Sequence, residues 1–424
     1  MTRVWRAARP IALAAALAML GFGCAREPRR TQIVFWQSRP LEAIAPLLRQ
    51  FEAEHPEFAV KLQQLPPRQM ADSIDAALRS GHLPDLCECP SPMMPRLVAG
   101  AVLADWSAGV ADLRDSVRGW ELCSRGETIY GLPWVLEPRM LFFNRSLFAR
   151  AGLDSARAPE TWEEMARDAA SIERLARHTP GSDVHGLGLG DPGSEQQFED
   201  FMPLAWGRGG EILSADLDSS RFDSPENREA LGFLLRLRRA GALGSVEQLG
   251  RDFAAGRLGL VCADGALAGR IAPGTLDFGV ALMPRPDGEQ GRHASIARGG
   301  VLASFRDSHQ KEAALRLARF LIDPERVQRV SAGEIGVVPA RLAADRPPAS
   351  PPAAGGAAAI ERAMILQIED VHFPPNHAAW DSMKLAIQAG LARAWTDSLA
   401  PPDSAAARAT AAVDRRLLEI LSQR

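Results

Sequence analysis

A carboxylate and a guanidinium stand two residues apart at Glu137 and Arg139, directly before the short apolar run Met140 to Phe143. That run has the length and composition of a buried β-strand, so the charged pair is expected where the strand leaves the core. Charged side chains in such a place can orient a polar molecule through charge-assisted hydrogen bonds, which are stronger than neutral ones. The segment therefore predicts a cleft that binds polar groups.

The elements that must position this cleft alternate between strand and helix. Ile33 to Trp36, Phe58 to Leu65 and Pro84 to Cys89 read as strands, and apolar residues at helical spacing separate them. Such alternation predicts βαβ units and a mostly parallel sheet, in which ligands bind beyond the carboxyl ends of the strands. The residues that fall at those ends are Trp36, Gln37 and Ser38 after the first strand, and Glu88 and Cys89 at the third.

Length, charge and the absence of motifs narrow the function. A chain of 424 residues suggests two domains of roughly 150–200 residues each, and a net charge of −3 argues against a nucleic-acid surface. The sequence has no G-x-S-x-G, no H-E-x-x-H and no P-loop, and its eight histidines are too scattered to predict a metal site. We expect no cofactor and no catalysis. A secreted glycosidase stays open as an alternative, because its two carboxylates have no fixed spacing.

The N-terminus has the pattern of an export signal. Arg3, Arg6 and Arg9 precede an apolar stretch from Ile11 to Leu20, and Cys24 follows small residues. The layout resembles a bacterial lipobox, so we expect a signal peptide over 1–23, a lipidated Cys24 and a tether over 24–30. A lipid would anchor the protein to a membrane without spanning it. Cleavage by the ordinary signal peptidase is the alternative, because Phe22 departs from the usual lipobox.

Export would place four further cysteines in an oxidising compartment. Cys87 and Cys89 would share one face of a strand, with Glu88 on the other face. Four cysteines allow three complete pairings, and the sequence does not choose among them. We expect a disulfide that involves Cys87 or Cys89 rather than a zinc site, because a second ligand pair at suitable spacing is missing. The other two cysteines are Cys123 and Cys262.

A series of motifs along the chain resembles the family 1 extracellular solute-binding proteins, the ligand-capturing subunits of ABC importers, mostly for sugars. The stretch from Ile129 to Leu153, IYGLPWVLEPRMLFFNRSLFARAGL, resembles the family signature "YGLP…lyYNkdlFekAGl". Further matches are TWEE at 161–164, FDSPE at 222–226, FAAG at 253–256, DFGVALMP at 277–284 and GVVPAR at 336–341. The resemblance implies a two-lobed α/β periplasmic-binding-protein fold of type II. Each lobe would be a mostly parallel sheet flanked by helices, with a hinge between the lobes.

The same resemblance implies a division of the chain and a set of partners. Residues 31–138 plus 259–308 would form lobe one, and 139–258 plus 309–424 would form lobe two. The lobes would close on a small solute about the hinge, and the closed form would be recognised by permease subunits. We expect a monomer. A receptor of the same fold that signals to a sensor protein is the alternative.

Ligand contacts follow from the resemblance residue by residue. Glu137 aligns with an acidic ligand contact, Trp134 lies at the cleft edge, and Trp36, Trp206 and Trp380 are candidates for ring stacking. The chain departs from the family at Asp264 and Gly300, where neighbouring aromatic platforms are missing, while Arg139 and Arg298 fall near the cleft. These arginines indicate an anionic ligand, such as a glycerophosphodiester or acidic sugar, or else they pair with nearby carboxylates. The predicted contacts are Trp36, Gln37, Glu88, Trp134, Glu137, Arg139, Trp206, Asp264, Arg298, Gly300 and Trp380.

Overall fold

The computed structural model of the protein describes residues 30–238, 241–331, 336–341, 356–397 and 399–423. The predicted signal peptide, Cys24 and all but the last residue of the predicted tether lie outside these ranges. Within them, none of the helices combines the length and the apolar character that crossing a bilayer requires.

Thirteen strands and fourteen α-helices make up the described fold. The strands are β1 (Thr31–Gln37), β2 (Phe58–Gln64), β3 (Leu86–Pro90), β4 (Ser124–Arg125), β5 (Thr128–Ile129), β6 (Leu132–Asn144), β7 (His185–Gly190), β8 (Gly241–Gly244), β9 (Leu258–Asp264), β10 (Phe278–Ala281), β11 (Ser295–Ala303), β12 (Val338–Pro339) and β13 (Val371–His372). The helices are α1 (Leu41–Glu54), α2 (Pro67–Ser80), α3 (Met94–Ala99), α4 (Arg145–Arg150), α5 (Trp162–Arg177), α6 (Glu195–Arg208), α7 (Pro225–Leu237), α8 (Val246–Ala254), α9 (Ala266–Gly269), α10 (Lys311–Leu321), α11 (Pro324–Ser331), α12 (Ala357–Gln367), α13 (Trp380–Thr396) and α14 (Pro402–Ser422).

Eight of the strands form one continuous path in the order β2-β1-β3-β11-β6-β9-β7-β8. At one end β1 pairs in parallel with β2 and β3, and at the other β7 pairs in parallel with β8 and β9. These outer strands carry the parallel βαβ pattern that the sequence predicts. The middle strands β11 and β6 pair antiparallel with each other and with β3 and β9, so the sheet of each lobe is mixed.

Strand β6 belongs to both lobes. Its first half pairs with β11, ending at the pair Pro138 and Ala297, and its second half pairs with β9, beginning at Arg139 and Asp264. Of its 13 residues only Glu137 is not buried. The chain therefore crosses between the lobes inside a buried strand, and the charged pair of the sequence lies at the crossing.

Two segments of the chain pair or pack with elements of the other predicted lobe. Strands β9 and β10 pair with the second half of β6, so residues 259–294 lie in lobe two. Helices α10 and α11 pack on lobe one, where the ring of Phe320 lies 5.3 Å from that of Phe51. The sequence motifs give the order of segments along the chain, whereas strand pairing decides which sheet each segment joins. From this pairing we propose that lobe one consists of 30–138 and 295–331, and lobe two of 139–294 and 380–423.

The four cysteines are free thiols, so the expected disulfide is wrong. Cys87 and Cys89 lie on one buried face of β3, as the strand period requires, and neither meets a cysteine from another element. Cys123 lies on a different segment, where its thiol donates to the carbonyl of Gly131 at 3.3 Å. Each thiol is used as a small apolar side chain.

Candidate ligand-binding site

The lobe-one wall of the cleft is organised by Glu88, in the middle of β3. Its buried carboxylate accepts hydrogen bonds from the amide and hydroxyl of Ser38, at 2.8 and 2.9 Å, and from Nε of Arg39 at 2.7 Å. Arg39 also lies 3.5 Å from Glu137, and its amide donates to the fully buried Gln37. The structure thus brings three predicted residues, Gln37, Glu88 and Glu137, together around one arginine.

Gly300 makes room for that carboxylate. It lies on β11, which pairs with β3, and a Cβ added there would lie only 2.6 Å from Oε1 of Glu88. Side chains do not pack at that distance, so only glycine fits beside Glu88 in its present position. Gly300 therefore acts through Glu88, and backbone alone shapes this part of the wall.

The lobe-two wall is organised by Arg139, the first β6 residue beyond the crossing. Its buried guanidinium donates from Nη1 to Gln196 at 3.1 Å and to Glu199 at 2.6 Å, and from Nη2 to Asp200 at 3.1 Å and to the carbonyl of Cys262. Burial alone would lower the pKa of Arg139, but the charges of Glu199 and Asp200 outweigh it and raise that pKa. The arginine stays charged, and both of its terminal nitrogens are engaged, whereas its buried Nε has no hydrogen-bond partner among the described residues.

Glu199 joins the two predicted arginines. One of its oxygens meets Arg139, and the other accepts from Nε of Arg298 at 2.9 Å. Arg298 comes from β11 of lobe one and Glu199 from α6 of lobe two, so this ion pair crosses the cleft. For Arg298 too, desolvation opposes the charge while Glu199 raises the pKa.

Asp200, next to Glu199, is the most strongly perturbed acid of the site. Burial raises its pKa to about 6, against the opposing effect of Arg139. Its carboxylate accepts hydrogen bonds from the Gly190 amide at 2.8 Å and from Nε2 of Gln196 at 2.7 Å. These bonds hold the carboxylate in place behind Arg139.

Two small spaces flank the Arg298–Glu199 pair, each about 40 Å³. One is lined by Arg139, Asp264 and residues of α8, and Asp264 also accepts a hydrogen bond from the amide of Ala266 at 3.1 Å. The other lies between Pro92 and Pro95 of lobe one and Trp380 of lobe two. Their linings come from both lobes, so together they mark the interlobe cleft.

The rim of the cleft is also bridged. Arg68, at the start of α2 in lobe one, lies 3.7 Å from Glu247 at the start of α8 in lobe two. Both side chains are more than half exposed, so the pair contributes little stability by itself. Its presence shows that the lobes approach each other closely at this edge, in keeping with the small spaces beneath.

The matching family decides what kind of site this is. Residues 47–358 match the family described as bacterial extracellular solute-binding protein. The chain belongs to that family. The members of this family are solute-binding proteins and not enzymes, so the expectation of no catalysis is confirmed.

Similar proteins agree with this membership. The chain is 24% identical to the sn-glycerol-3-phosphate-binding periplasmic protein UgpB of Escherichia coli (strain K12), over 73% of each chain. The cyclic alpha-maltosyl-1,6-maltose binding protein from Arthrobacter globiformis has a similar structure, with a TM-score of 0.77 at 22% identity over 92% of this chain and all of that one. The sugar-binding protein MalE from Xanthomonas citri gives 0.74 at 25% identity, over 93% and 98%. The two-lobed α/β fold is thereby confirmed.

The tryptophans of this solute-binding protein are placed differently from the prediction. Trp134 is fully buried in the lobe-one core, 6.3 Å from the ring of Phe35, so it packs the core instead of lining the cleft. Trp380 lines the cleft but is almost covered, with its ring 6.0 Å from that of Phe198. Trp206 is buried against His372 outside the cleft spaces. Only Trp36, at the end of β1, is half-buried.

Arg39, Gln196, Glu199 and Asp200 are site residues that the sequence reading missed. The last three lie one helical turn apart on α6, at positions i, i+3 and i+4, which is one face of a helix. Three polar residues on such a face normally indicate solvent, although here the face is buried. The sequence offers one signal that this polar face is buried. Glu199 and Asp200 lie between Phe198 and Phe201, which are also buried.

Oδ1 of Asn144 accepts a hydrogen bond from the amide of Leu147 at 3.1 Å, so this residue caps α4. Across the described ranges, no group of three or more histidine, cysteine, aspartate or glutamate residues is arranged to hold a metal ion.

Proposed function

We propose that this solute-binding protein captures a neutral sugar or a related polyhydroxylated solute in the cleft between its lobes and delivers it to the permease of an ABC importer. The observation that carries the choice of a neutral ligand is the pairing of the cleft arginines. Arg139 and Arg298 are engaged by Glu199, and Arg39 by Glu88. An anion would have to displace these carboxylates, whereas hydroxyl groups can add hydrogen bonds to an intact network.

The solved structures with the same fold support a sugar-type ligand, since both are named for sugars. An anionic solute is the second candidate. It is favoured by the half-exposed side chain of Arg298 and by the likeness to a glycerol-3-phosphate-binding protein. The two candidates differ in what happens to Glu199, which stays paired with Arg298 for a neutral ligand and must release it for an anion.

The mechanism is hinge closure about β6 and β11. A ligand that touches both walls binds the closed form better, so it shifts the open–closed equilibrium by the difference in its affinity for the two forms. The Arg298–Glu199 pair supports this role because it already joins a lobe-one strand to a lobe-two helix. The closed lobes then present the surface that the permease recognises. Signalling to a sensor protein is the alternative use of the same motion.

Export and anchoring are part of the proposal. The extracellular setting follows from the family. The arginine-rich start and Cys24 further indicate a lipid-anchored protein on the periplasmic or extracytoplasmic face of a bacterial membrane. Comparing the mass of the mature N-terminus before and after Cys24→Ser tests the anchor, because the lipid should be lost in the variant.

Thermal unfolding of residues 25–424 tests the ligand class. The panel consists of neutral sugars, polyols, acidic sugars and glycerol-3-phosphate. A ligand at 100 times its dissociation constant adds about 2.7 kcal/mol, which shifts the melting temperature by a few degrees. We expect a shift with neutral sugars that Glu137→Ala diminishes. A shift with anions alone would favour the second candidate, and a panel without any shift would count against both.

A further inference from the structure

A large cavity in the described part of the chain lies outside the interlobe cleft. It measures about 610 Å³, within the range of roughly 300–1,000 Å³ that small-molecule sites occupy, whereas each cleft space measures about 40 Å³. Its walls come from the end of α6, the loop 209–224 of lobe two and the segment 373–375. We refer to it as the lobe-two cavity. No residue that lines it also lines either cleft space.

The segment from Phe373 to Pro375 forms a partition between the lobe-two cavity and the interlobe cleft. Pro374 faces the cleft space beside Trp380, whereas Phe373 and Pro375 face the lobe-two cavity. This alternation is what an extended chain produces, because successive side chains point to opposite sides. The partition is tied to lobe one by Asn376, whose side-chain amide donates to the carbonyls of Glu121 and Ser124 at 2.6 and 2.9 Å.

The loop that forms the outer wall is held in shape by internal bonds. Nδ2 of the buried Asn227 donates to the carbonyls at both ends of the loop, Glu211 at 2.8 Å and Phe222 at 3.0 Å. Within the loop, Ser214 donates to Asp218 at 2.8 Å, and Leu217 adopts a left-handed backbone with φ of 59°. A non-glycine residue in that conformation costs free energy, so the loop is kept in place by the surrounding bonds.

Three charged side chains of the lobe-two cavity lack a short-range partner among the described residues, although the charges of His372 and Arg292 act on Glu211 from a greater distance. In the described ranges, the side chains of Glu211, Arg221 and Glu226 make neither a hydrogen bond nor an ion pair, in contrast to the paired charges of the cleft. Trp206 and Phe373, which are largely buried, contribute aromatic atoms to the lining. Acceptors, one guanidinium and aromatic surface together suit a hydroxylated ring with an apolar face.

We infer that the lobe-two cavity is a second solute site, which takes a neutral or amino sugar independently of the interlobe cleft. The lining carries two carboxylates and one guanidinium, so it favours neutral or positively charged rings over acidic ones. The inference goes beyond the proposed function, because a ligand here contacts lobe two and the partition but neither cleft space.

Calorimetric titration of residues 25–424 with glucose, maltose, glucosamine and glucuronic acid tests the second site. Ala215→Trp fills the cavity from its exposed loop, and Ala156→Trp, in an exposed loop outside the lining, is the matched control. Glu137→Ala tests whether a class of sites belongs to the interlobe cleft. We expect a class of sites for glucose, maltose or glucosamine that Ala215→Trp removes and that Ala156→Trp and Glu137→Ala retain, with no such class for glucuronic acid.

The outcomes separate the two sites. If every class of sites survives Ala215→Trp, or if Glu137→Ala binds none of these sugars, the lobe-two cavity is not a sugar site. If the only class present is lost in Ala215→Trp and kept in Glu137→Ala, the second site stands and the proposed cleft function fails. Glu211→Gln provides a milder check, since it keeps the shape of the wall and should weaken glucosamine more than glucose.

Discussion

At the scale of single residues, Glu199 holds the site together. It is the shared partner of Arg139, which is buried, and Arg298, which is half-exposed. Removing one member of a buried ion pair leaves a charge without compensation and costs about 3–5 kcal/mol. We expect Glu199→Gln to lower the free energy of unfolding by about 3 kcal/mol, measured by urea denaturation.

Glu229→Gln is the matched control, because Glu229 pairs with Arg208 at the surface. Exposed pairs are worth about 0–1 kcal/mol, so this variant should unfold close to the native protein. Equal losses in the two variants would mean that the Arg139 network contributes no more than a surface pair.

The raised pKa of Asp200 predicts a pH dependence. The folded protein keeps a proton on this carboxyl up to about pH 6, whereas the unfolded chain releases it near pH 4. Folded protein therefore binds more protons between these values, and the stability contributed by Asp200 falls as pH rises through that window. A shift of about two pKa units corresponds to roughly 3 kcal/mol.

Urea denaturation from pH 4 to 6 checks this. Native protein should lose stability with rising pH relative to Asp200→Asn, which cannot titrate. Asp112→Asn is the control. The hydrogen bond from Arg319 lowers the pKa of Asp112 to about 2, so removing this carboxyl should leave the slope in the window unchanged. A native slope equal to that of Asp200→Asn would show that Asp200 is ionised throughout.

The four free thiols should react slowly in the folded protein. Desolvation raises the pKa of Cys87 and Cys123 well above the usual range and that of Cys262 to about 12, so little thiolate forms at neutral pH. For residues 25–424, we expect almost no colour with a disulfide reagent until denaturant is added, and then four thiols without reductant. Fewer than four would reveal a disulfide, and rapid labelling of folded protein would show that a thiol is accessible.

At the scale of elements, the contact between β3 and β11 sets the shape of the cleft wall. Glu88 is fixed by Ser38 and Arg39, so it cannot move aside for a Cβ at Gly300. We expect Gly300→Ala to destabilise the protein by about 1–3 kcal/mol, as overpacking does, and to weaken ligand binding. Urea denaturation and titration with the ligand from the thermal panel measure the two effects.

Gly250→Ala is the control for the same chemical change. Gly250 lies inside helix α8, and a Cβ there would meet only side-chain atoms, the nearest being Nη1 of Arg270 at 3.3 Å. Alanine is favoured over glycine in a helix by about 0.5–1 kcal/mol, so this variant should be more stable than the native protein. Destabilisation by both variants would show that contact with Glu88 is not the specific reason for glycine at position 300.

The sequence predicts elements better than it predicts the site. The outer strands β1 to β3 and their helices follow from local periodicity, and the cap at Asn144 follows from local chemistry. The cleft depends on contacts between distant segments. Arg139 meets Glu199 and Asp200 only after folding, and nothing local tells a buried polar helix face from a solvated one. Trp134 shows that a motif can also mislead. Its motif predicts a position in the cleft, whereas the alternation of side chains along β6 directs its ring into the core.

At the scale of the whole molecule, β6 joins the two lobes through buried backbone pairing on both sides of Pro138. Unfolding one lobe exposes half of this strand and removes neighbours from the other half. We expect a single calorimetric transition, with equal van't Hoff and calorimetric enthalpies, in residues 25–424. Two resolved transitions would show that the lobes unfold independently, despite the shared strand.

The same pairing governs when the chain can fold during its synthesis. Cys89 of β3 pairs with Val301 of β11. The lobe-one sheet therefore stays incomplete until the chain has returned from lobe two and β11 has been made. Pairing between such distant segments makes folding slow, because a large loop must close before the contacts stabilise it. A chain whose first lobe cannot fold early remains unfolded for longer, so it can still pass through a channel in extended form. The topology that provides the hinge therefore also suits the protein for passage through a narrow secretion channel.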